Sequence, residues 1–412
     1  MNHNKLYSLL KGIINYEDEI IPIDDKSEIR NYGFTSSTNT ILSGAELYHC
    51  HEHKMTFTGN ESINTEIESI NKNLEIPDIN ISENRTFRYH VLKPTNRDKF
   101  KEVVLFFHGF NEKYWDKYLP WAKKIADDTG KLVVLFPIAF HMNRAPHQWS
   151  DPRKMFELSQ HRKDGFPDII DSSLSNVAIS SRLHACPQRF LWSGLQTYYD
   201  VIQFVNECKT GSHPLIEKNF TLDFFSYSIG SLLAEILKLT NYNNYFGNSK
   251  LVMFCGGAVF NRLSPVSKFI IDSEANMAMY SYLVEHLSVH INKNPRLHHL
   301  LSELHPEGLV FRSMLNYAVM LEKREDLFRT IAEQVLAITL EKDTVIPSYE
   351  IINTLQGAKR DIPIDVQVLD FPFIYKHEDP FPTNESISSL VDISFNNVFS
   401  KVCDFLNKPL PK

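Results

Sequence analysis

The sequence is short of cysteine. Cys50, Cys186, Cys208, Cys255 and Cys403 are scattered through 412 residues, odd in number and without a Cys-x-x-Cys pair. That pattern excludes a disulfide framework and fits reduced thiols in a cytoplasmic protein. Long apolar runs are also missing. The most evident one, LVVLFPIAF from Leu132 to Phe140, has the length of a buried strand, well short of the roughly 20 residues of a membrane span. The opening MNHNKLYSLLKGIINYEDEIIPIDD is broken early by acidic residues and has no small-residue cleavage site, so no signal peptide is expected. There is no basic tract: 43 Lys+Arg stand against 50 Asp+Glu, a net charge of −7. A mild acidic excess argues against nucleic acid as a partner. No P-loop, G-x-G-x-x-G, internal repeat or low-complexity block is present, and no cofactor is expected. Nothing in the sequence speaks to the oligomeric state.

What remains is ordinary globular material, 43% hydrophobic and 23% charged. A chain of this length buries enough surface to need no staple. Residues 1–85 are polar, rich in Asn, Ile, Ser and Glu, and read as a peripheral N-terminal extension with a strand or hairpin near Glu46 to Thr58. From Thr86 the pattern changes. Thr86 to Leu92 alternates, with Phe87, Tyr89 and Val91 on one face and Arg88 and His90 on the other. Short unbroken apolar runs follow: VVLFF (Val103 to Phe107), LVVLF (Leu132 to Phe136), LDFFS (Leu222 to Ser226), LVMFC (Leu251 to Cys255), LAITL (Leu336 to Leu340) and VQVL (Val366 to Leu369). Runs without alternation suit parallel strands buried on both faces. Helical patterns over Tyr118 to Asp128, Phe190 to Cys208 and Gly230 to Thr240 lie between them, so helices cover both faces. Two gaps, 141–188 and 256–335, are too long for crossovers. Both begin at C-terminal strand ends, where α/β sheets bind ligands, and read as a cap over a site.

Four segments carry chemistry. Phe225-Ser226-Tyr227-Ser228-Ile229-Gly230 lies between a strand and an amphipathic helix. Small residues two before and two after Ser228 allow a tight turn that exposes its Oγ beside the helix N-terminus. His108-Gly109-Phe110-Asn111 follows VVLFF directly; the Phe110 and Ile229 amides are the candidate oxyanion donors. Asp343, just past LAITL in Glu341-Lys342-Asp343-Thr344-Val345-Ile346-Pro347, is placed to accept a histidine Nδ1–H, with Glu341 as its competitor. His377 lies in the loop after the final strand, in reach as a general base. The chain order is Ser, Asp, His, each after its own strand.

On HGF, the Ser-Tyr-Ser-Ile-Gly turn, Asp-Thr-Val-Ile-Pro and the final His377, the chain resembles the α/β-hydrolase superfamily over Thr86 to Leu406. Ser226, Leu340 and Lys376 stand where that pattern often has glycine. The resemblance implies a mostly parallel sheet flanked by helices, and a Ser228-His377-Asp343 triad. It implies covalent acyl transfer on a small acyl substrate, an ester with a hydrophobic acyl group first; peptidase, thioesterase and acyltransferase chemistry use the same residues. The alternative is a non-catalytic protein of the same fold that binds a ligand or partner.

Other features are weighed against plainer readings. Met277, Met279, Tyr280, Tyr282 and Phe311 in the second insertion either shape an acyl pocket or form helix-packing core. In His49-Cys50-His51-Glu52-His53, alternation places His49, His51 and His53 on one strand face. Their spacing of about 7 Å suits a single metal poorly, no second ligand set stands out, and no metal is expected. His298-His299 reads as surface.

Overall fold

A computed structural model describes residues 2–59 and 76–409. Eleven strands are found there: β1 (Ile20–Pro22), β2 (Ser27–Thr35), β3 (Leu47–Cys50), β4 (Met55–Thr58), β5 (Thr86–Pro94), β6 (Phe100–Phe107), β7 (Leu132–Leu135), β8 (Ile216–Tyr227), β9 (Leu251–Phe254), β10 (Val335–Leu340) and β11 (Asp365–Leu369). Nine form one sheet in the order β1-β2-β5-β7-β6-β8-β9-β10-β11, and β3 and β4 form a separate antiparallel hairpin. From β7 across to β11 every pairing is parallel, while β1, β2 and β5 join antiparallel at one end. This is the mixed, mostly parallel sheet of an α/β-hydrolase fold.

The unbroken apolar runs have a direct physical cause. In β6, Val103, Leu105 and Phe107 enter the core on one face while Val104 and Phe106 enter the core on the other. Alternate side chains point to opposite faces, so a strand covered twice needs apolar residues at every position. Each such side chain contributes about 1.5–3 kcal/mol on burial. The helices Leu119–Thr129, Arg189–Thr210, Ile229–Thr240 and Ser388–Asn407 supply the cover.

Three details differ from expectation. Residues 1–85 are not wholly peripheral, because β1 and β2 are hydrogen-bonded into the sheet beside β5. β5 is consequently an inner strand, and His90, expected on a polar face, is fully buried against Asn31. β8 also starts six residues before LDFFS, at Ile216, in a partly exposed stretch whose polarity hides it.

The two insertions pack on each other. Arg162 of the first makes a buried two-pronged pair with Asp272 of the second, at 2.6 and 2.8 Å. Asp272 also caps the helix Ser273–Tyr280 by accepting the Ala275 amide. Charge-assisted pairing of this geometry fixes orientation as well as distance.

Candidate active site

The C-terminal ends of β6, β8, β10 and β11 open onto one edge of the sheet, and the four segments singled out in the sequence sit in the loops that follow. β8 ends at Tyr227 and the next helix begins at Ile229, which leaves Ser228 to make the whole turn. It does so at φ 55°, ψ −124°, a strained left-handed conformation for a residue with a Cβ. Its neighbours explain how the turn is held. A Cβ on Gly230 would sit 2.7 Å from the His108 carbonyl oxygen, so this position admits only glycine. Ser226 occupies the place where the family pattern often has glycine. Its Oγ donates to the Val252 carbonyl at 3.1 Å and lies 3.1 Å from Ser231 Oγ, so the extra hydroxyl is absorbed beneath the turn.

Ser228 Oγ lies 2.7 Å from His377 Nε2, and His377 Nδ1 lies 2.7 Å from Asp343 Oδ2. The other carboxylate oxygen of Asp343 accepts the Val345 and Ile346 amides at 2.9 and 3.0 Å. An acceptor-only carboxylate on Nδ1 keeps the proton there and leaves Nε2 bare toward the hydroxyl. Asp343, not the exposed Glu341, makes this contact. All three side chains are buried from bulk water apart from one opening. That opening is a cavity of about 320 Å³ lined by Gly109, Phe110, Lys113, Tyr227, Ser228 and His377, among others.

The loop after β6 is braced from both sides. His108 Nδ1 donates to the Gly109 carbonyl at 2.7 Å and its Nε2 accepts the Ile138 amide at 3.0 Å, tying the ends of β6 and β7. Burial holds this imidazole well below its usual pKa, so it is neutral, as that bonding requires. The Gly109 amide donates to the Tyr118 hydroxyl at 2.9 Å, and that hydroxyl donates to Glu112 at 2.7 Å. Phe110 follows and lines the cavity. Ile229 and Phe110 also border a smaller apolar recess with Phe190, Leu232 and Phe311.

Several contributors were not identified from the sequence. Tyr227 stacks on the His377 ring, with centroids 5.4 Å apart, and donates its hydroxyl to the His377 carbonyl. Lys117 pairs with Glu112, donates to the Glu378 carbonyl at 3.0 Å and lies over the Tyr118 and Tyr227 rings. Tyr227, in the middle of the turn motif, was the available clue. Of the five insertion residues weighed as pocket-formers, Phe311 lines the recess, Met279 and Tyr282 are core, and Met277 and Tyr280 are exposed. His299 is buried rather than on the surface, and the alternation expected through His53 stops at Cys50, where β3 ends in a turn.

Among solved structures, the chain is similar to carboxyl esterase 2 from the mycorrhizal fungus Tuber melanosporum, at 11% identity and a TM-score of 0.43, covering 79% of this chain and 82% of that one. It is also similar to a thermostable esterase from Pseudomonas putida ECU1011 (11%, TM-score 0.41, 99% and 89%). A third is the Pyrococcus horikoshii acylaminoacyl peptidase (12%, TM-score 0.39, 79% and 40%). Likenesses this distant decide nothing about activity. In sequence, none of the curated proteins matches the chain. A family model matches residues 1–407, and the chain accordingly belongs to DUF6051, a family of unknown function.

Proposed function

We propose that this protein is a serine hydrolase that cleaves a carboxylic ester or related acyl substrate through an acyl-enzyme. The observation that carries the reading is the unbroken chain of two 2.7 Å contacts from Ser228 Oγ through His377 to Asp343, set on a strained turn and open to a cavity. His377 Nε2 takes the Ser228 proton as Oγ attacks the substrate carbonyl, and Asp343 steadies the imidazolium that results. The developing oxyanion lies toward the Phe110 and Ile229 amides. The imidazolium then protonates the leaving alcohol, and a water molecule, deprotonated by the same nitrogen, releases the acid and restores Ser228. The two insertions act as the cap over this cavity, and the apolar recess beside Ile229 receives the acyl group.

The test is a panel of short p-nitrophenyl esters together with a fluorophosphonate probe. Wild-type protein hydrolyses the esters and takes up one label, which Ser228→Ala abolishes. Labelling that persists in Ser228→Ala removes this residue from the role.

A further inference from the structure

The hairpin β3–β4 brings a second histidine cluster together, far from Ser228 in the chain. Cys50 ends β3 and His53 sits in the turn; His299 lies on the helix Pro295–Leu300, and His305 is the residue before the helix Pro306–Ser313. Cys50 Sγ is 3.5 Å from His53 Nδ1 and 3.5 Å from His305 Nε2, and His305 Nε2 is 3.0 Å from His299 Nε2. All four donor atoms lie within 4.8 Å of one another. We propose that Cys50, His53, His299 and His305 form a zinc(II) site that pins the hairpin to the second insertion.

The distances carry the argument. Zinc holds thiolate sulfur at about 2.3 Å and imidazole nitrogen at about 2.0–2.1 Å in a tetrahedron, which sets neighbouring ligand atoms roughly 3.4–3.6 Å apart. The two sulfur–nitrogen separations match that edge, the short nitrogen–nitrogen one needs a small expansion, and the widest pair, at up to 4.8 Å, must close by about 1.3 Å as the metal binds. Glu307 lies 2.7 Å from His305 Nδ1 and is itself bonded by the Tyr199 hydroxyl, so the His305 proton stays on Nδ1. Its Nε2 is therefore a bare lone pair aimed into the cluster, as in the carboxylate–histidine–zinc arrangement. The two pairs are close in sequence, Cys-x2-His and His-x5-His, so each is pre-formed locally and folding has only to bring two units together. Four protein ligands close the shell without an open position, which makes the site structural. One thiolate with three imidazoles favours zinc over magnesium or calcium, which seek oxygen. As zinc binds, the Cys50 thiol gives its proton to solvent.

The consequence is mechanical. The site joins residues 255 apart in sequence, and the helix it caps carries Phe311 to the apolar recess beside Ile229. The test uses the full-length chain with any affinity tag removed. Elemental analysis after gel filtration gives one zinc per chain, and zinc X-ray absorption of the wild-type protein gives one sulfur and three nitrogen neighbours. Cobalt(II) in its place shows a tetrahedral visible spectrum with a thiolate charge-transfer band. Cys50→Ser removes that band, His299→Gln lowers the retained metal several-fold, and His49→Gln, on the exposed side of the hairpin, leaves both as they were. A zinc shell without sulfur, metal below a tenth of an equivalent after incubation with excess zinc, or a charge-transfer band that survives Cys50→Ser overturns the proposal. Because the first readout is made on wild-type protein, a variant that fails to fold does not blunt it.

Discussion

The protein holds two clusters built around buried histidine, and they are held by different kinds of structure. Ser228 and Asp343 follow directly on β8 and β10 of one parallel sheet, with β9 between them, and His377 is carried by the loop after β11, so the backbone ladder of the sheet sets where their segments start before any side chain is placed. Cys50, His53, His299 and His305 come from a two-stranded hairpin and two short helices of an insertion, none of which belongs to that sheet. The first cluster is rigid by inheritance and can therefore sustain strain, such as the left-handed Ser228. The second is held by side-chain packing instead, with Tyr48, Cys50 and Phe57 of the hairpin in the core shared with Leu297 and Leu300. In the proposed site a bound cation adds a further constraint. The proposed catalytic geometry thus lies on the stiff part of the molecule and the proposed cross-link on the softer part.

The largest effect that sharpens this contrast is at Asp343. Asp343→Asn keeps the shape but offers an amide where Nδ1–H needs an acceptor, favouring the wrong tautomer; kcat/KM should fall about 10⁴-fold with the fold unchanged. Steady-state ester hydrolysis and a circular dichroism spectrum check it. A loss within tenfold would mean that the strand-end cluster is not a working triad.

The soft region predicts a smaller, thermodynamic effect. If the cluster binds zinc, adding zinc to a hundred times its dissociation constant stabilises the native state by about 2.7 kcal/mol. Denaturant midpoints of wild-type protein should rise with zinc, and those of Cys50→Ser should not. Equal responses would erase the distinction between the two regions.

The same contrast explains what could be read from sequence. Ser228 and Asp343 were legible as candidates because each follows an apolar run that a doubly covered strand explains, whereas His377 follows the half-exposed edge strand β11 and was picked out by chain order. Their order along the chain repeats the order of the strands. The zinc ligands were not legible as a set: Cys50 and His53 are visible as a cluster, but nothing local says that the helices carrying His299 and His305 come to lie against them. That is decided by the packing of the insertion. Tyr118 and Lys117 escaped notice for the same reason, since their partners Gly109, Glu112 and Glu378 are met only in three dimensions. β1 and β2 escaped because an antiparallel strand with one face half-exposed does not need the apolar density of a doubly buried parallel one.

Tyr118 offers the next smaller test, now within the rigid region. Tyr118→Phe takes the acceptor from the Gly109 amide and the donor from Glu112, loosening the loop that carries Phe110. A positioning role predicts that kcat falls about tenfold with KM nearly constant, because the donor is used fully only in the transition state. A change in KM alone would assign Tyr118 to binding.

The smallest effect comes from the helix that Ser228 begins. Glu235 on that helix is completely buried, and neither carboxylate oxygen has a hydrogen-bond partner among the described residues. Burial raises its pKa well above 4.5, against a weaker opposing pull from Arg324, so the native state keeps the proton that the unfolded chain releases. Between the unfolded and folded pKa values the native state binds one proton more than the unfolded state, so stability must fall as pH rises. The slope is no steeper than about 1.4 kcal/mol per pH unit, and gentler near its start around 4.5. Glu235→Gln keeps the side chain's size and removes the titration. The gap between variant and wild type in denaturant unfolding should therefore widen in the variant's favour from pH 4.5 upward, with the 2.7 Å contact of Ser228 to His377 and ester hydrolysis left in place. A gap that stays constant with pH would show that Glu235 ionises in the native state. The helix beneath the serine would then hold a buried charge, and the stiff region would be less secure than its strands suggest.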